Sequence, residues 1–329
     1  MLSQPQGKLT PGAVLLDRFA LLGRVGVGMG GETWRARALD GSADVAIKVV
    51  HHGGLRLRQH LDLLREAAIL RGLDHPHVVP YLGVVDLPGT SATYLIIQWA
   101  RGGNLAGWMA GRGRVPAARV RLLGTQLCAA LDAAHQAGIL HRDLKPENVL
   151  LREPDPETPH LLLADFGIAQ RMSQQAADVS RPAGSPGYSA PECWRAGTVT
   201  AAADVYSLGA LILTLARGSP PPLAFDGMLP DLDEAEERLN RVSDPDLRVV
   251  TELALAMLAR EPELRPTVAE VRAVLEGKSR SVPRRAARVA TLPPTSRRRR
   301  RWWTIVAVAA SLVVATLTLA AVMAWAAAS

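Results

Sequence analysis

His141-Arg142-Asp143-Leu144-Lys145-Pro146-Glu147-Asn148 is the stretch around which the rest of the chain can be ordered. Of the 38 basic residues only Lys8, Lys48, Lys145 and Lys278 are lysine. A lysine kept against that bias points to a role that the planar, permanently charged guanidinium of arginine does not fill. Downstream stand Asp165-Phe166-Gly167 and Ala190-Pro191-Glu192; upstream, a second of the four lysines closes Val45-Ala46-Ile47-Lys48.

That upstream lysine ends an apolar strand of buried type and needs a counter-charge. Glu66, 18 residues later on an amphipathic helical stretch from Leu61 to Arg71, can supply it. An ordinary strand-to-helix ion pair has the same appearance. Earlier still, Gly26-Val27-Gly28-Met29-Gly30-Gly31 follows an expected strand, and its spacing lets the backbone approach a polyphosphate with no Cβ in the way. On this run alone a plain hairpin turn fits as well.

The pattern around these residues divides the chain in two. Up to about residue 97 it shows short β-branched and aliphatic runs, Phe19 to Val25, Val45 to Val50, Val78 to Val85 and Tyr94 to Ile97, with the one helical stretch among them. From Leu105 to Gly277 it turns helical, with Ala118 to Gly138, Ala203 to Ala216, Asp246 to Ala259 and Val268 to Leu275 separated by Gly or Pro. A small sheet carrying one helix is expected first, and a helical lobe second.

In this order and at these intervals, the five motifs resemble the landmarks of the eukaryotic-like protein kinase family, in its bacterial Ser/Thr branch. The resemblance covers roughly Leu15 to Gly277. It implies an α+β, two-lobed protein kinase fold over residues 13–277, with an N-lobe at 13–97, a hinge at 98–101 and a C-lobe at 102–277. It assigns ATP to Gly26, Gly28, Gly31, Thr33, Ala46, Lys48, Gln98, Ala100 and Leu150, with Glu66 positioning Lys48. Asp143 would accept the proton of the substrate hydroxyl and Lys145 would reach the γ-phosphate. Asn148 and Asp165 would hold Mg²⁺ (or Mn²⁺). Phosphoryl transfer needs chiefly positioning and charge neutralisation, and these side chains supply cations, metal ligands and a proton acceptor.

The resemblance also assigns scaffold roles. Asp204, in Asp204-Val205-Tyr206-Ser207-Leu208-Gly209, resembles the buried aspartate that pins the catalytic loop, and Arg265 the arginine that pairs with Glu192. His141 and Phe166 read as packing residues. His51-His52 and the His75/His77 pair lack a third metal ligand and read as solvated loop residues. Lys145 two residues after Asp143, and Gly184-Ser185-Pro186-Gly187-Tyr188 before Ala190, resemble the Ser/Thr rather than the tyrosine branch, so protein Ser/Thr hydroxyls are the expected substrates.

Thr33 departs from the family's usual valine and adds a hydroxyl beside the adenine position, while Gly30 adds flexibility at the loop tip. Arg142 before Asp143 goes with control by phosphorylation of the activation segment. The candidate autophosphorylation sites there are Ser180 first, then Ser173 and Ser185; Ser185 also resembles the residue that contacts the catalytic loop. A pseudokinase scaffold is disfavoured because Lys48, Glu66, Asp143, Asn148 and Asp165 are all present. A small-molecule phosphotransferase is not expected to carry the Ala190-Pro191-Glu192 segment.

With 48% hydrophobic and 21% charged residues the chain is a packed protein rather than a disordered one. The net charge of +7 is concentrated: Lys278, Arg280, Arg284, Arg285, Arg288 and Arg297 to Arg301 lie in a stretch with no acidic residue. Without those ten, 28 basic residues face 31 acidic ones, about −3. A nucleic-acid footprint would have to sit in the basic stretch alone, and none is expected. Cys128 and Cys193 have neither redox nor zinc spacing and read as reduced cytosolic thiols.

After Gly277 a Pro-, Arg- and Ser-containing linker (278–301) leads to Trp302–Trp325, which carries no charge. These 24 residues as a helix would span about 36 Å, enough for a hydrocarbon core of about 30 Å. Tryptophans at both ends, and Arg297–Arg301 on the N-terminal side only, predict one transmembrane helix with the kinase domain in the cytoplasm. The arginines add attraction to anionic lipid. Met1 to Gly12 is polar and does not read as a signal peptide, and with only Ala326 to Ser329 beyond the span no extracellular sensor domain is expected. Ala307, Ser311 and Ala315 share a helix face, which makes a homodimer through that helix a further expectation.

Overall fold

Along Val45–His51 the chain sorts its residues by parity. Val45, Ile47 and Val49 are buried in a small core on one face of the sheet, while Ala46, Lys48 and Val50 point to the other. Tyr94 and Ile96 join the first face and Leu95 the second. The computed structural model describes residues 9–28, 31–51, 64, 67–86, 92–166, 185–194, 199–224, 227–239, 242–279 and 281–282, all within the unit Met1–Arg285. The Trp302–Trp325 span and Arg297–Arg301 lie outside them. Among the described residues no helix is long and apolar enough to cross a membrane.

The first lobe is an antiparallel sheet of β1 (Val14–Leu15), β2 (Phe19–Gly28), β3 (Gly31–Ala38), β4 (Val45–His51), β5 (Tyr81–Asp86) and β6 (Ala92–Gln98), in spatial order β1-β2-β3-β4-β6-β5. The register sets Thr33 opposite Lys48, and Lys48 opposite Leu95. Residues 67–72 are helical, overlapping the end of the expected stretch from Leu61 to Arg71. Strand β5 begins later than the apolar run from Val78 predicts. Pro80 lacks a donor for the ladder, and Val78 instead forms an isolated bridge with Leu163.

The second lobe contains α1 (Leu105–Met109), α2 (Ala117–Gln136), α3 (Ala201–Arg217), α4 (Leu232–Leu239), α5 (Pro245–Met257) and α6 (Val268–Leu275), with a hairpin of β7 (Val149–Leu151) and β8 (Leu161–Leu163). In α2, Val120, Leu123, Leu127, Leu131 and Ala134 are buried at helical spacing, so one face is apolar. Helix α3 is buried at every position from Ala203 to Ala216, the pattern of a helix surrounded by protein. A Cβ at its Gly209 would sit 2.6 Å from Met257 Cβ, so glycine is what lets α3 and α5 approach. Local signals set the ends. Asp244 caps α5 through the Asp246 and Leu247 N–H groups with Pro245 at its first turn, and Thr267 with Glu270 forms a capping box on α6.

Candidate active site

The loop between α2 and β7 is held by a carboxylate from another element. Asp204, fully buried in the first turn of α3, accepts hydrogen bonds from the His141 N–H (2.9 Å), the Arg142 N–H (2.7 Å) and His135 Nε2 (2.8 Å). Arg142 has φ +66°, a left-handed conformation that a non-glycine residue keeps only when its surroundings impose it. Burial works against ionisation of Asp204, but the His135 hydrogen bond, the facing His141 ring and the Arg142 N–H hold its carboxyl below the usual carboxylate range.

His141 is fully enclosed. Its Nε2 donates to the Ala164 carbonyl (2.8 Å), its Nδ1 accepts from the Asp143 N–H (3.3 Å), and burial pushes its pKa down. The ring packs on Phe166 with centroids 4.8 Å apart. It thus braces the Asp143 loop against the strand end that leads into Asp165.

On this brace Asp143 becomes the centre of a polar cluster. Lys145 Nζ donates to its Oδ2 (2.8 Å), and Asn148 Nδ2 donates to Oδ2 (2.9 Å) and to its backbone oxygen (2.7 Å). Ser185 Oγ donates to Oδ1 (3.0 Å) while accepting from Lys145 Nζ (2.8 Å), and the Ser185 N–H is fixed by Ser189 Oγ (2.8 Å). The second cluster joins the lobes: Lys48 Nζ lies 2.9 Å from Asp165 Oδ2. Asp165 is partly exposed and has φ +57°. Desolvation opposes its ionisation, yet Lys48, and more weakly His141 and Lys145, hold its carboxyl low.

Of the residues expected around ATP, Thr33, Ala46 and Lys48 share one face of the sheet. Gly26 pairs with Thr33 and Gly28 with Gly31 in the β2–β3 ladder. Gly31 has φ +115°, and a Cβ there would fall 1.9 Å from the Val49 carbonyl oxygen, so the passage over β4 requires glycine whatever binds. Ala46 and Ala100 are buried, Leu150 sits in β7, and Gln98 ends β6 with its N–H on the Pro80 carbonyl (3.0 Å). Glu66, Gly167, Ser173 and Ser180 lie outside the described residues.

Glu192 and Arg265 meet in a two-pronged pair, at 2.6 and 2.8 Å. His135 and Ser189 were not singled out by sequence reasoning: the Asp204 partner of His135 lies 69 residues away and leaves no local mark, and Ser189 acts only through the backbone N–H of Ser185. The same reasoning also misplaced the histidines of the 73–80 loop. His77 is half-buried, bonded through Nδ1 to the Leu161 carbonyl (3.0 Å) and packed on His160 with centroids 4.6 Å apart, because the loop docks on β8 instead of standing in solvent.

A family model described as "Protein kinase domain" matches residues 19–274. Serine/threonine-protein kinase ULK3 of Homo sapiens is 35% identical over 260 residues, covering 76% of this chain and 52% of its own length. Serine/threonine-protein kinase ATG1a of Arabidopsis thaliana is 33% identical over 215 residues, covering 65% of this chain and 33% of its own. The chain thus spans about a third to a half of the length of these curated relatives. The Mycobacterium tuberculosis PknI kinase domain superposes with a TM-score of 0.63 at 24% identity, over 83% of this chain and 100% of that one, a likeness of fold. Motif order, two-lobed architecture and the Asp143 cluster agree with that match, and the chain belongs to the protein kinase domain family, with serine/threonine-protein kinases among its relatives.

Proposed function

We propose that this chain is an ATP-dependent Ser/Thr protein kinase that phosphorylates protein serine and threonine hydroxyls, itself included, at a membrane. The observation that carries the reading is the Asp143–Lys145–Asn148–Ser185 cluster standing beside the Lys48–Asp165 pair. In the forward reaction the substrate oxygen bonds to the γ-phosphorus as the bond to the β-phosphate oxygen breaks, and ADP leaves. Asp143 takes the hydroxyl proton. Lys145 neutralises charge on the transferred group, and Lys48 holds the phosphates that stay behind.

Asn148 and Asp165 suit a hard divalent cation. With its Nδ2 committed to Asp143, Asn148 keeps Oδ1 as an oxygen donor, and Asp165 adds a carboxylate whose low pKa keeps it ionised. These two oxygens would hold Mg²⁺, which when bound would neutralise phosphate charge. The membrane location rests on the uncharged Trp302–Trp325 stretch and the five arginines before it. Asp143→Asn keeps the shape of the cluster and removes the proton acceptor. Autophosphorylation of the purified protein should fall about 100-fold or more with the melting temperature nearly unchanged, and wild-type turnover would contradict the assignment.

A further inference from the structure

Arg35 stands opposite Ala46 in the β3–β4 ladder and two residues from Thr33, so it lies on the sheet face that carries Ala46 and Lys48. Its Nε and NH2 both donate to Asp44 Oδ2, at 2.9 and 2.5 Å. The guanidinium carbon is 5.0 Å from the centroid of the Trp99 ring, which it covers. The Trp99 N–H donates to the Asp44 carbonyl oxygen at 3.4 Å, and Arg37 Nε reaches Asp44 Oδ1 at 3.3 Å. Trp99, within the hinge, is therefore gripped twice by one Arg–Asp pair, through its ring and through its backbone. Burial opposes ionisation of Asp44, but the hydrogen bonds from Arg35 and Arg37 hold its carboxyl low, so the pair stays charged at neutral pH.

The grip has a directional consequence. In extended backbone, consecutive N–H groups point to opposite sides. Gln98 gives its N–H to Pro80 and Trp99 gives its own to Asp44, so the lie of Trp99 sets which way its neighbours Gln98 and Ala100 present their backbone groups. Arg35 is better suited to this than lysine would be. Its planar fork bonds the carboxylate while its face stacks on the ring, and a lysine ammonium cannot do both.

We propose that Arg35 and Trp99 are positioning residues for the nucleotide, a clasp at the hinge end of the cleft that fixes the orientation of Gln98 and Ala100. This rests on the kinase reading, which gives those two residues to ATP. The test uses the full chain and two measurements: calorimetric titration with a non-transferable ATP analogue, and steady-state phosphorylation of a generic protein substrate. Trp99→Leu and Arg35→Lys should each weaken analogue binding and raise KM for ATP about 2- to 5-fold, with kcat within about twofold of wild type. Trp99→Phe, which keeps a ring face, should behave like wild type, and the double variant Arg35→Lys/Trp99→Leu should be no worse than the worse single one. Unchanged analogue affinity in both single variants overturns the clasp. So does a loss confined to kcat, or full additivity in the double variant. If the wild type binds the analogue without transferring phosphate, the kinase reading fails while the affinity comparison still judges the clasp; a wild type that binds no analogue overturns both.

Discussion

Arg265 shows how one side chain can be fully spent on structure. It is completely buried, and its five N–H donors meet five acceptors: Glu192 Oε1 and Oε2, and the carbonyls of Ala259, Ala202 and Arg260. Its face lies 5.0 Å from the Tyr206 ring. Removing the carboxylate leaves a buried cation with nothing to balance it, which costs far more than the intact pair contributes. Glu192→Ala should therefore destabilise the protein by about 3–5 kcal/mol, measured by urea unfolding; a loss under about 1 kcal/mol would show that water reaches the guanidinium. The Glu192–Arg265 pairing was legible in the sequence because both residues sit in motifs. The three carbonyls were not, since a backbone oxygen has no residue type to announce it.

The loop of residues 73–80 carries the pH response of its element. It docks on β8 through Val79 N–H to Leu163 O (2.9 Å) and Leu163 N–H to His77 O (2.8 Å), with the His77 ring held between Leu161 O and His160. Burial lowers the His77 pKa from its ordinary 6.5; the Leu161 bond opposes the shift, and His160, His75 and Arg152 reinforce it. Below 6.5 the unfolded chain takes up the proton before the folded one does. Its contribution to stability is therefore complete above that pH and is lost as pH falls toward the lower folded value. The melting temperature should drop between pH 7 and 5.5, and His77→Asn, which keeps a donor for Leu161 O, should flatten part of that slope; an identical slope would sink the assignment. The fully buried His141, lowered in the same direction, accounts for a further share. Among elements, long amphipathic or wholly apolar stretches such as α2 and α3 were legible within about two residues. Strand β3, Gly31–Ala38, was not. Its inward positions Trp34, Ala36 and Ala38 alternate correctly, but two are alanine, so the apolar contrast that marks a strand is weak.

At the scale of the whole molecule the charge is split between a mildly acidic catalytic part and a basic stretch before the proposed anchor. The Asp143 cluster and the Lys48–Asp165 pair are formed by residues between Lys48 and Ser189, the Asp204 and Arg265 clusters that brace them by residues up to Arg265, and the core closes with α6 and the partly buried Val282. A chain ending at Arg285 keeps all of these, whereas one ending at Gly277 gives up the packing of Val282 and should be less stable by about 1 kcal/mol. Both should stay in the soluble fraction and phosphorylate themselves, while the full chain sediments with membranes. If a kinase molecule phosphorylates its neighbour, the rate per molecule in solution falls in proportion to dilution, but two copies confined to one bilayer keep a high effective concentration however dilute the suspension. Initial autophosphorylation of the full chain in vesicles at fixed protein-to-lipid ratio should thus be unchanged on tenfold dilution, and that of the chain ending at Arg285 should fall about tenfold per molecule. A soluble chain whose rate per molecule ignores dilution would mean that the reaction occurs within one molecule, and a full chain whose rate falls as steeply would mean that residues 302–325 do not hold it in the bilayer.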